Sequence, residues 1–396
     1  MRRKTRFVCV SDTHAYTPSE AGFKLPAGDV LIHAGDLTNH GSSAELRKTM
    51  SWIATAEFEV KIIICGNHDI TLDPGFYAEY GSRFHGQHLE DTQKCIEIVT
   101  QASPSIVYLR HQSALVRLTR PNGPNTVFKI FGSPYSQSPG TWAYGYESSD
   151  SAALWNIIPL DTDIIVTHTP PYSHCDSRTE GISVGCKALR STLSKVRPLL
   201  AICGHVHESR GSERVRWHPR AASAAAAAAI VDEPSQEDEI IRDILPPSGS
   251  RKQSLVDLTG KKAPKLDNDH FAINNIRTPI SRLFEPSQNV LLLPSSERSL
   301  ERLQSSGAEQ PTSSSLSSCL KDIQSSDKDG LYPQRRETCI VNAAIMATSW
   351  PHRGGKRFHA PIVVDLELPV WNEEKEGTAS RGLSIVPHPF APESSG

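Results

Sequence analysis

The sequence predicts an α/β fold, a layered and largely parallel sheet with a mixed second sheet beside it. Two observations carry that class. Five short apolar runs recur along the chain, Phe7 to Val10, Val30 to Ala34, Val60 to Cys65, Asp163 to Thr167 and Leu199 to Cys203. Their length and β-branched content suit buried strands. Helical patterns fall between them, and strands alternating with helices make parallel sheets.

Between the second and third runs, Ser42 and Glu45 have the spacing of a capping box, and Leu46, Met50 and Ile53 follow on one helical face. A second helix is predicted over Cys186 to Val196, stopping before Pro198. Further strands are predicted at Ser105 to Leu109, Ala114 to Leu118 and Val127 to Phe131, the last two around the turn-rich Arg120-Pro-Asn-Gly-Pro-Asn. From 218 to 330 the texture changes to an alanine run, charged patches and serine-rich stretches. A segment of that composition buries too little apolar surface to offset its chain entropy. It is expected to be a disordered, low-complexity insertion interrupting one domain made of residues 1–217 and 331–370. Core-like sequence returns at Cys339-Ile-Val-Asn and Pro361-Ile-Val-Val-Asp-Leu, and 371–396 is expected to be a disordered tail.

The chain has 396 residues and a formal net charge of −2. The length allows a sizeable core, and the near-neutral charge argues against a protein built to grip a nucleic-acid backbone. The basic start, Met1 to Arg6, is followed by only a short apolar run, too short for a signal peptide. No stretch approaches the roughly 18 apolar residues of a membrane span. The eight cysteines have no framework spacing, and Cys9, Cys65 and Cys203 sit in apolar runs where buried thiols belong. The expectation is a soluble cytoplasmic protein with no membrane or stable nucleic-acid partner.

Each apolar run is followed at once by residues able to bind metal: Asp12-Thr-His14, Gly35-Asp36, Gly66-Asn67-His68-Asp69, His168, and Gly204-His205-Val-His207. Taken singly these are weak signals. Together they are not, because groups just past the carboxyl ends of parallel strands converge on one crevice, and glycines recur where the backbone must turn. Histidine nitrogen, carboxylate and amide oxygen without thiolate suit Mn first, with Fe, Zn, Co or Ni as alternatives, and not a cysteine-zinc site. Seven ligands are too many for one ion and suit two divalent ions sharing a carboxylate. Two such ions bring +4 and two aspartates −2, so a site of about +2 wants an anion. Phosphate ester chemistry follows, in which two ions roughly 3.5 to 4 Å apart activate a bridging hydroxide for in-line attack. Neither a serine nucleophile elbow nor a P-loop is present in the sequence.

These five blocks, in this order, resemble the calcineurin-like metallophosphoesterase superfamily, over about residues 6 to 207 and again near 331 to 370. His33-Ala-Gly-Asp-Leu-Thr, Phe131-Gly-Ser-Pro, Thr167-His-Thr-Pro-Pro and Val341-Asn-Ala resemble its metallophosphoesterase-domain, brain-type subgroup. The resemblance implies a four-layer sandwich, two mixed β-sheets flanked by helices. It implies that Asp12, His14, Asp36 and His207 hold one metal and that Asp36, Asn67, His168 and His205 hold the second, Asp36 bridging. His68 matches the position that contacts phosphate and protonates the leaving oxygen, a role for a histidine poised near neutral pH. Protein phosphatases of the superfamily carry an Asp-Arg pair where this chain has Asn39 and His40. A protein phosphatase is thereby disfavoured, and His68 is left without an evident carboxylate partner.

Tyr135, Trp142, Tyr144 and Tyr146 could form a wall for a nucleotide base, but ordinary loop packing is the favoured reading. His33 is expected in the core, and His40, His85, His88 and His174 at the surface. Asp69 either braces a neighbouring ligand or caps a helix. The leading function is a phosphodiesterase acting on a small substrate such as a cyclic nucleotide. A phosphomonoesterase with the same metals, or a non-catalytic scaffold using the insertion to bind an unknown protein, stays open.

Overall fold

In a computed structural model, residues 1–137, 142–178, 181–218, 238–247, 249–250, 252–268, 288–293, 335–349 and 351–371 are described. In chain order the strands are β1 (Arg2–Val10), β2 (Val30–Ala34), β3 (Val60–Ile64), β4 (Ile106–Tyr108), β5 (Gln112–Arg117), β6 (Val127–Ser133), β7 (Ile164–Thr167), β8 (Leu200–Cys203), β9 (Gly211–Arg216), β10 (Glu239–Arg242), β11 (Ser254–Asp257), β12 (Val290–Leu293), β13 (Glu337–Asn342) and β14 (Ile362–Pro369). The α-helices are α1 (Pro18–Ala21), α2 (Ser43–Thr55), α3 (Pro74–His85), α4 (Thr92–Thr100), α5 (Ser151–Trp155) and α6 (Lys187–Val196).

Two mixed sheets result, one ordered β11-β14-β1-β2-β3-β4 and the other β10-β9-β13-β8-β7-β6-β5-β12. In the first, β1 to β4 run parallel and β14 is antiparallel to β1. In the second, β6, β7, β8 and β13 run parallel, with antiparallel strands on both flanks. The inner faces meet in one core: Phe7, Cys9, Ile32 and Ile62 of the first sheet are buried with Val116, Phe128, Ile164 and Ile202 of the second. The outer face of the first sheet, Val8, Leu31 and Ile63, buries Leu46, Met50 and Ile53 of α2 and Cys95 and Val99 of α4. Phe131, Ile165 and Ala201 on the far face of the second sheet pack on Trp155 of α5 and Leu189 and Leu193 of α6. Strands covered on both sides explain why the five runs are continuously apolar instead of alternating.

The predicted start of α2 is realised in detail. The Ser42 hydroxyl accepts from the Glu45 N–H, and the Glu45 side chain accepts from the Ser42 N–H, the reciprocal cap worth about 1 kcal/mol. Helix α6 has Cys186 as its N-cap and ends at Arg197 in the left-handed region, just before Pro198. Helices α3 and α4 were not anticipated, although both start on an aspartate cap, Asp73 before Pro74 and Asp91 before Thr92.

The expectation of disorder over 218–330 fails at three places. β10 pairs with β9, β11 with β14, and β12 with β5. An existing sheet edge supplies half of each ladder, so four residues suffice to add a strand. Val256 then buries itself in the core between the sheets, and Arg216 and Arg242 pair with Glu239 and Glu213 across the polar edge at β10. Most of the remaining insertion, and 372–396 of the tail, lie outside the described residues. No helix among the described residues is long and apolar enough to cross a membrane.

Candidate metal centre

All five blocks leave their strands at the same end of the molecule. Asp12 and His14 follow β1, Asp36 follows β2, Asn67 and His68 follow β3, His168 follows β7, and His205 and His207 follow β8. The first three strands belong to one sheet and the last two to the other, so the site is the seam between the sheets. Asp12 (φ 54°), His14 (φ 43°), Asp36 (φ 53°) and His205 (φ 67°) all occupy the left-handed region. For residues with a Cβ this costs of order 1–3 kcal/mol each and persists only where the surroundings enforce it. The strain here sits on the polar residues themselves. At Gly66 and Gly204 the need is room instead of a turn: a Cβ on Gly66 would collide with Asp36 Oδ1, and one on Gly204 with Ser11 Oγ and Asp12 Oδ2.

Asp12, His14, Asp36 and His207 are buried and offer donor atoms all within 4.8 Å of one another. His14 Nε2 lies 3.2 Å from His207 Nε2 and 3.7 Å from Asp36 Oδ2, and His207 Nε2 lies 3.4 Å from Asp12 Oδ1. A second group surrounds the other oxygen of Asp36. Its Oδ1 is 3.4 Å from His168 Nε2, which is itself 3.0 Å from Asn67 Oδ1 and 3.2 Å from His205 Nδ1. All seven expected side chains therefore come together, in two sets joined at Asp36.

Neighbouring groups aim the rings. His168 Nδ1 donates to Ala34 O and His207 Nδ1 to Thr348 O, so each turns its Nε2 to the site. His68 Nδ1 lies 2.7 Å from Asn39 O, which leaves its Nε2 free. The missing carboxylate partner of His68 is thus replaced by a backbone carbonyl. Asn39 is in turn gripped by Glu45, whose Oε1 accepts from the Asn39 N–H and Nδ2, and Asn39 Nδ2 also donates to His14 O. Asp69 makes no side-chain cap to the helical turn that follows it. It accepts instead from the N–H groups of Leu37, Thr38 and Gly66, tying the Asp36 loop to the Asn67 loop. Burial, and then Asp36, pushes the Asp69 carboxyl well up.

The charges are divided sharply. Burial opposes ionisation of Asp36, yet His168 and His68 beside it hold its carboxyl well below the usual range. Burial also works against a charge on His168, but Asp36 lifts it to about 9. His14 and His205 are pushed by burial to about 3, so each presents a neutral lone pair. Pairs of imidazole nitrogens 3.2 Å apart, beside ionised carboxylates and an amide oxygen, form a donor set that fits divalent ions.

A family description of calcineurin-like phosphoesterases matches residues 5–209. The chain belongs to the calcineurin-like phosphoesterase family. It is 35% identical over 222 residues to Metallophosphoesterase domain-containing protein 1 of Homo sapiens, covering 52% of this chain and 62% of that protein. It is 33% identical over 256 residues to UPF0046 protein C25E10.12 of Caenorhabditis elegans, covering 63% of this chain and 84% of that protein. Probable rhamnogalacturonate lyase C of Emericella nidulans is 39% identical over 224 residues, 55% of this chain but 19% of that protein. The chain thus spans about a fifth of one of these relatives and under two thirds of another. The likeness to the human protein agrees with the subgroup that the Val341-Asn-Ala and Thr167-His-Thr-Pro-Pro segments suggested.

Two expectations about neighbouring residues need correcting. His174 is buried, not exposed, with Nδ1 3.1 Å from Glu213 Oε2 and with Arg190 Nε donating to Nε2. Those partners lie 39 and 16 residues away, so no local pattern announced them. His85 is half-buried against the Tyr77 hydroxyl, while His33 is a core residue bonded to Thr13 Oγ1, as expected. Of the four loop aromatics, Tyr144 and Tyr146 are buried packing residues. Trp142 is different, because its ring lies on that of His68 with centroids 4.0 Å apart.

Asn342, which the sequence offers only as part of the Val341-Asn-Ala segment with no role attached, is fully buried behind the His205-Val206-His207 turn. Its Nδ2 donates to Cys175 O and Val206 O, and its Oδ1 accepts from the Ala344 N–H. A lone asparagine at the end of an apolar strand was the available signal.

Proposed function

We propose that this chain is a two-metal phosphoesterase acting on small phosphodiesters. The observation that carries the reading is the sharing of Asp36 between the two donor sets, one oxygen to each. Asp12, His14, Asp36 and His207 would hold one divalent ion and Asp36, Asn67, His168 and His205 the other, manganese being the first choice for an oxygen and imidazole set. When bound, such ions supply Lewis-acid charge and lower the pKa of water. The protein's own part is to fix the donors, through the carbonyls of Ala34 and Thr348, and to exclude bulk water from seven largely buried groups. His68 would protonate the departing ester oxygen from Nε2 as the P–O bond breaks, while its Nδ1–H keeps donating to Asn39 O.

A diester is favoured over a monoester by charge. After burial itself, the groups acting most on Asp12 are His207, His168 and Asp36, and those acting most on Asp36 are His168, His68 and His14, with no arginine or lysine among them. A monoester dianion profits most from a guanidinium clamp, and Asn39 and His40 stand where related protein phosphatases carry Asp and Arg. The seven described cysteines are all free thiols, which supports a reducing, cytoplasmic setting. The partner is then the small phosphoester itself, without nucleic acid or membrane.

Purified, manganese-loaded protein should hydrolyse bis-4-nitrophenyl phosphate faster than 4-nitrophenyl phosphate, with a cyclic nucleotide as a third arm and Asp36→Asn and His205→Ala as inactive controls. Turnover of the monoester alone would overturn the diester preference. No turnover of any arm by protein with both metals bound would favour the scaffold.

A further inference from the structure

We infer that Trp142 is a positioning residue for His68, holding its imidazole in the one orientation from which Nε2 can serve a leaving oxygen. The inference rests on the proposed acid role of His68 and extends it.

The imidazole of His68 is restrained from three sides. Its Nδ1 is tied to Asn39 O at 2.7 Å, which fixes the tautomer but leaves the ring free to swing about that bond. The edge of His14 meets it at 4.8 Å with an interplanar angle of 90°. The remaining face is covered by Trp142 at 4.0 Å and 33°, the shortest ring contact that either residue makes among the described residues. Without the indole, nothing described on that face opposes rotation of the ring away from the metal ligands.

Trp142 is itself backed by protein. It packs on Phe84 of α3 at 5.2 Å and lies parallel to His40 at 6.0 Å and 5°. The spacing to His40 leaves no slot for a third ring, since intercalation needs planes roughly 7 Å apart, twice the usual contact distance. A base-stacking wall is therefore not what this ring forms with His40. Two residues on, Tyr144 anchors the segment: its N–H donates to Asp73 Oδ2, its hydroxyl to Leu72 O, and its backbone is left-handed at φ 56°. Leu72 and Asp73 belong to the same loop that carries His68. Ring and platform are thus joined through one short stretch of chain, and a shift in either is transmitted to the other.

A misplacement of about 1 Å at a reacting group can cost on the order of 100-fold, and a well-placed acid contributes about 10²- to 10⁴-fold. An acid matters most where the leaving oxygen is a poor one. The test uses manganese-loaded full-length protein and a pair of diesters differing only in leaving group, methyl 4-nitrophenyl phosphate and methyl phenyl phosphate. His68→Ala, Trp142→Leu, Trp142→Phe and the double variant His68→Ala/Trp142→Leu are compared, with metal content and thermal melting as folding controls.

Trp142→Leu should lower kcat on the phenyl ester about tenfold and on the 4-nitrophenyl ester by less than about threefold, a part of the acid's full contribution, with KM little changed. Trp142→Phe, which keeps an aromatic face, should restore most of the loss. In the His68→Ala background, Trp142→Leu should have no further effect. Equal losses on both esters, or losses that multiply with those of His68→Ala, would overturn the inference. If His68→Ala itself lowers both esters equally, the acid role of His68 falls instead. Should Trp142→Leu fail to fold, Trp142→Met, which also removes the aromatic face, takes its place in the same comparison: a leaving-group effect in step with His68→Ala supports positioning, and a uniform loss or no loss refutes it.

Discussion

Replacing Asn342 with alanine should both destabilise the fold and loosen the metal centre. The amide Nδ2 donates to Cys175 O at 3.1 Å and to Val206 O at 2.9 Å, and Oδ1 accepts from the Ala344 N–H at 3.1 Å. Val206 O retains the Ser209 N–H after the change. Cys175 O and the Ala344 N–H have no other partner among the described residues, and both residues are buried. An orphaned buried polar group costs about 1–3 kcal/mol, so two of them cost roughly 4 kcal/mol in total. With an unfolding entropy of about 2.1 cal/mol/K per residue, a protein of this size shifts by roughly 1–2 °C per kcal/mol, so the melting temperature should fall by roughly 4–8 °C. The turn carrying His205 and His207 loses the tie of Asn342 Nδ2 to Val206 O and Gly204 O, so metal content and turnover should fall with it. Scanning calorimetry and elemental analysis of the purified variant measure both. A variant melting within about 2 °C of the parent with both metals retained would refute the reasoning, since two orphaned groups cannot cost so little.

Asp36→Asn should reduce metal content at both positions together, by at least the 10- to 100-fold in affinity seen for lesser supporting groups; loss of one metal alone would contradict a shared Asp36. His168 is lifted to about 9 in the metal-free fold, above its ordinary 6.5. Its contribution to metal-free stability is therefore full below 6.5 and lost as pH rises toward 9. The metal-free protein should lose melting temperature across that window while metal affinity increases over it, because a bound metal displaces the proton; a flat profile from 6.5 to 9 would count against both. Glu45→Ala removes the reciprocal half of the α2 capping box and the hold on Asn39 while the Ser42 hydroxyl keeps the residue-45 N–H, so up to about 1 kcal/mol of stability should be lost together with part of the activity, whereas Glu20→Ala at the cap of exposed helix α1 should leave activity unchanged. Steady-state rates of the two variants separate a local support for His68 from a general effect of capping.

The five strands that matter most were legible because each is covered on both faces, which demands a continuous run such as Lys61-Ile-Ile-Ile-Cys65. β10, β11 and β12 were not, for the complementary reason. An edge strand borrows its ladder from a neighbour already in place and needs no such run, so Glu239-Ile-Ile-Arg242 and Ser254-Leu-Val-Asp257 look like the rest of a polar insertion. Val290-Leu-Leu-Leu293 is the exception, an apolar run hidden by the serine-rich texture that follows it. Helices α3 and α4 were lost because their apolar faces are thin: Tyr77 and Gly81 are the buried residues of α3, and Cys95 and Val99 those of α4.

At the site the division follows a different line. The seven side chains that gather in the two sets, with His68 beside them, could be placed together from the sequence because each is a histidine, aspartate or asparagine just past the end of a strand. Groups that support them are largely backbone: Ala34 O aims His168, Thr348 O aims His207, and Asn39 O aims His68. A carbonyl belongs to every residue, so its role leaves no mark in the sequence. Asn39 makes the point most sharply. Judged by its side chain it is a missing carboxylate, and His68 reads as an acid without a partner. Judged by its backbone it supplies the acceptor that an aspartate would have supplied, and its side chain serves to hold that backbone still between Glu45 and His14 O. The exchange of a carboxylate for a carbonyl keeps the imidazole oriented without placing another negative charge beside Asp36. That is the arrangement a site needs if it is to orient His68 and still draw in an anionic ester.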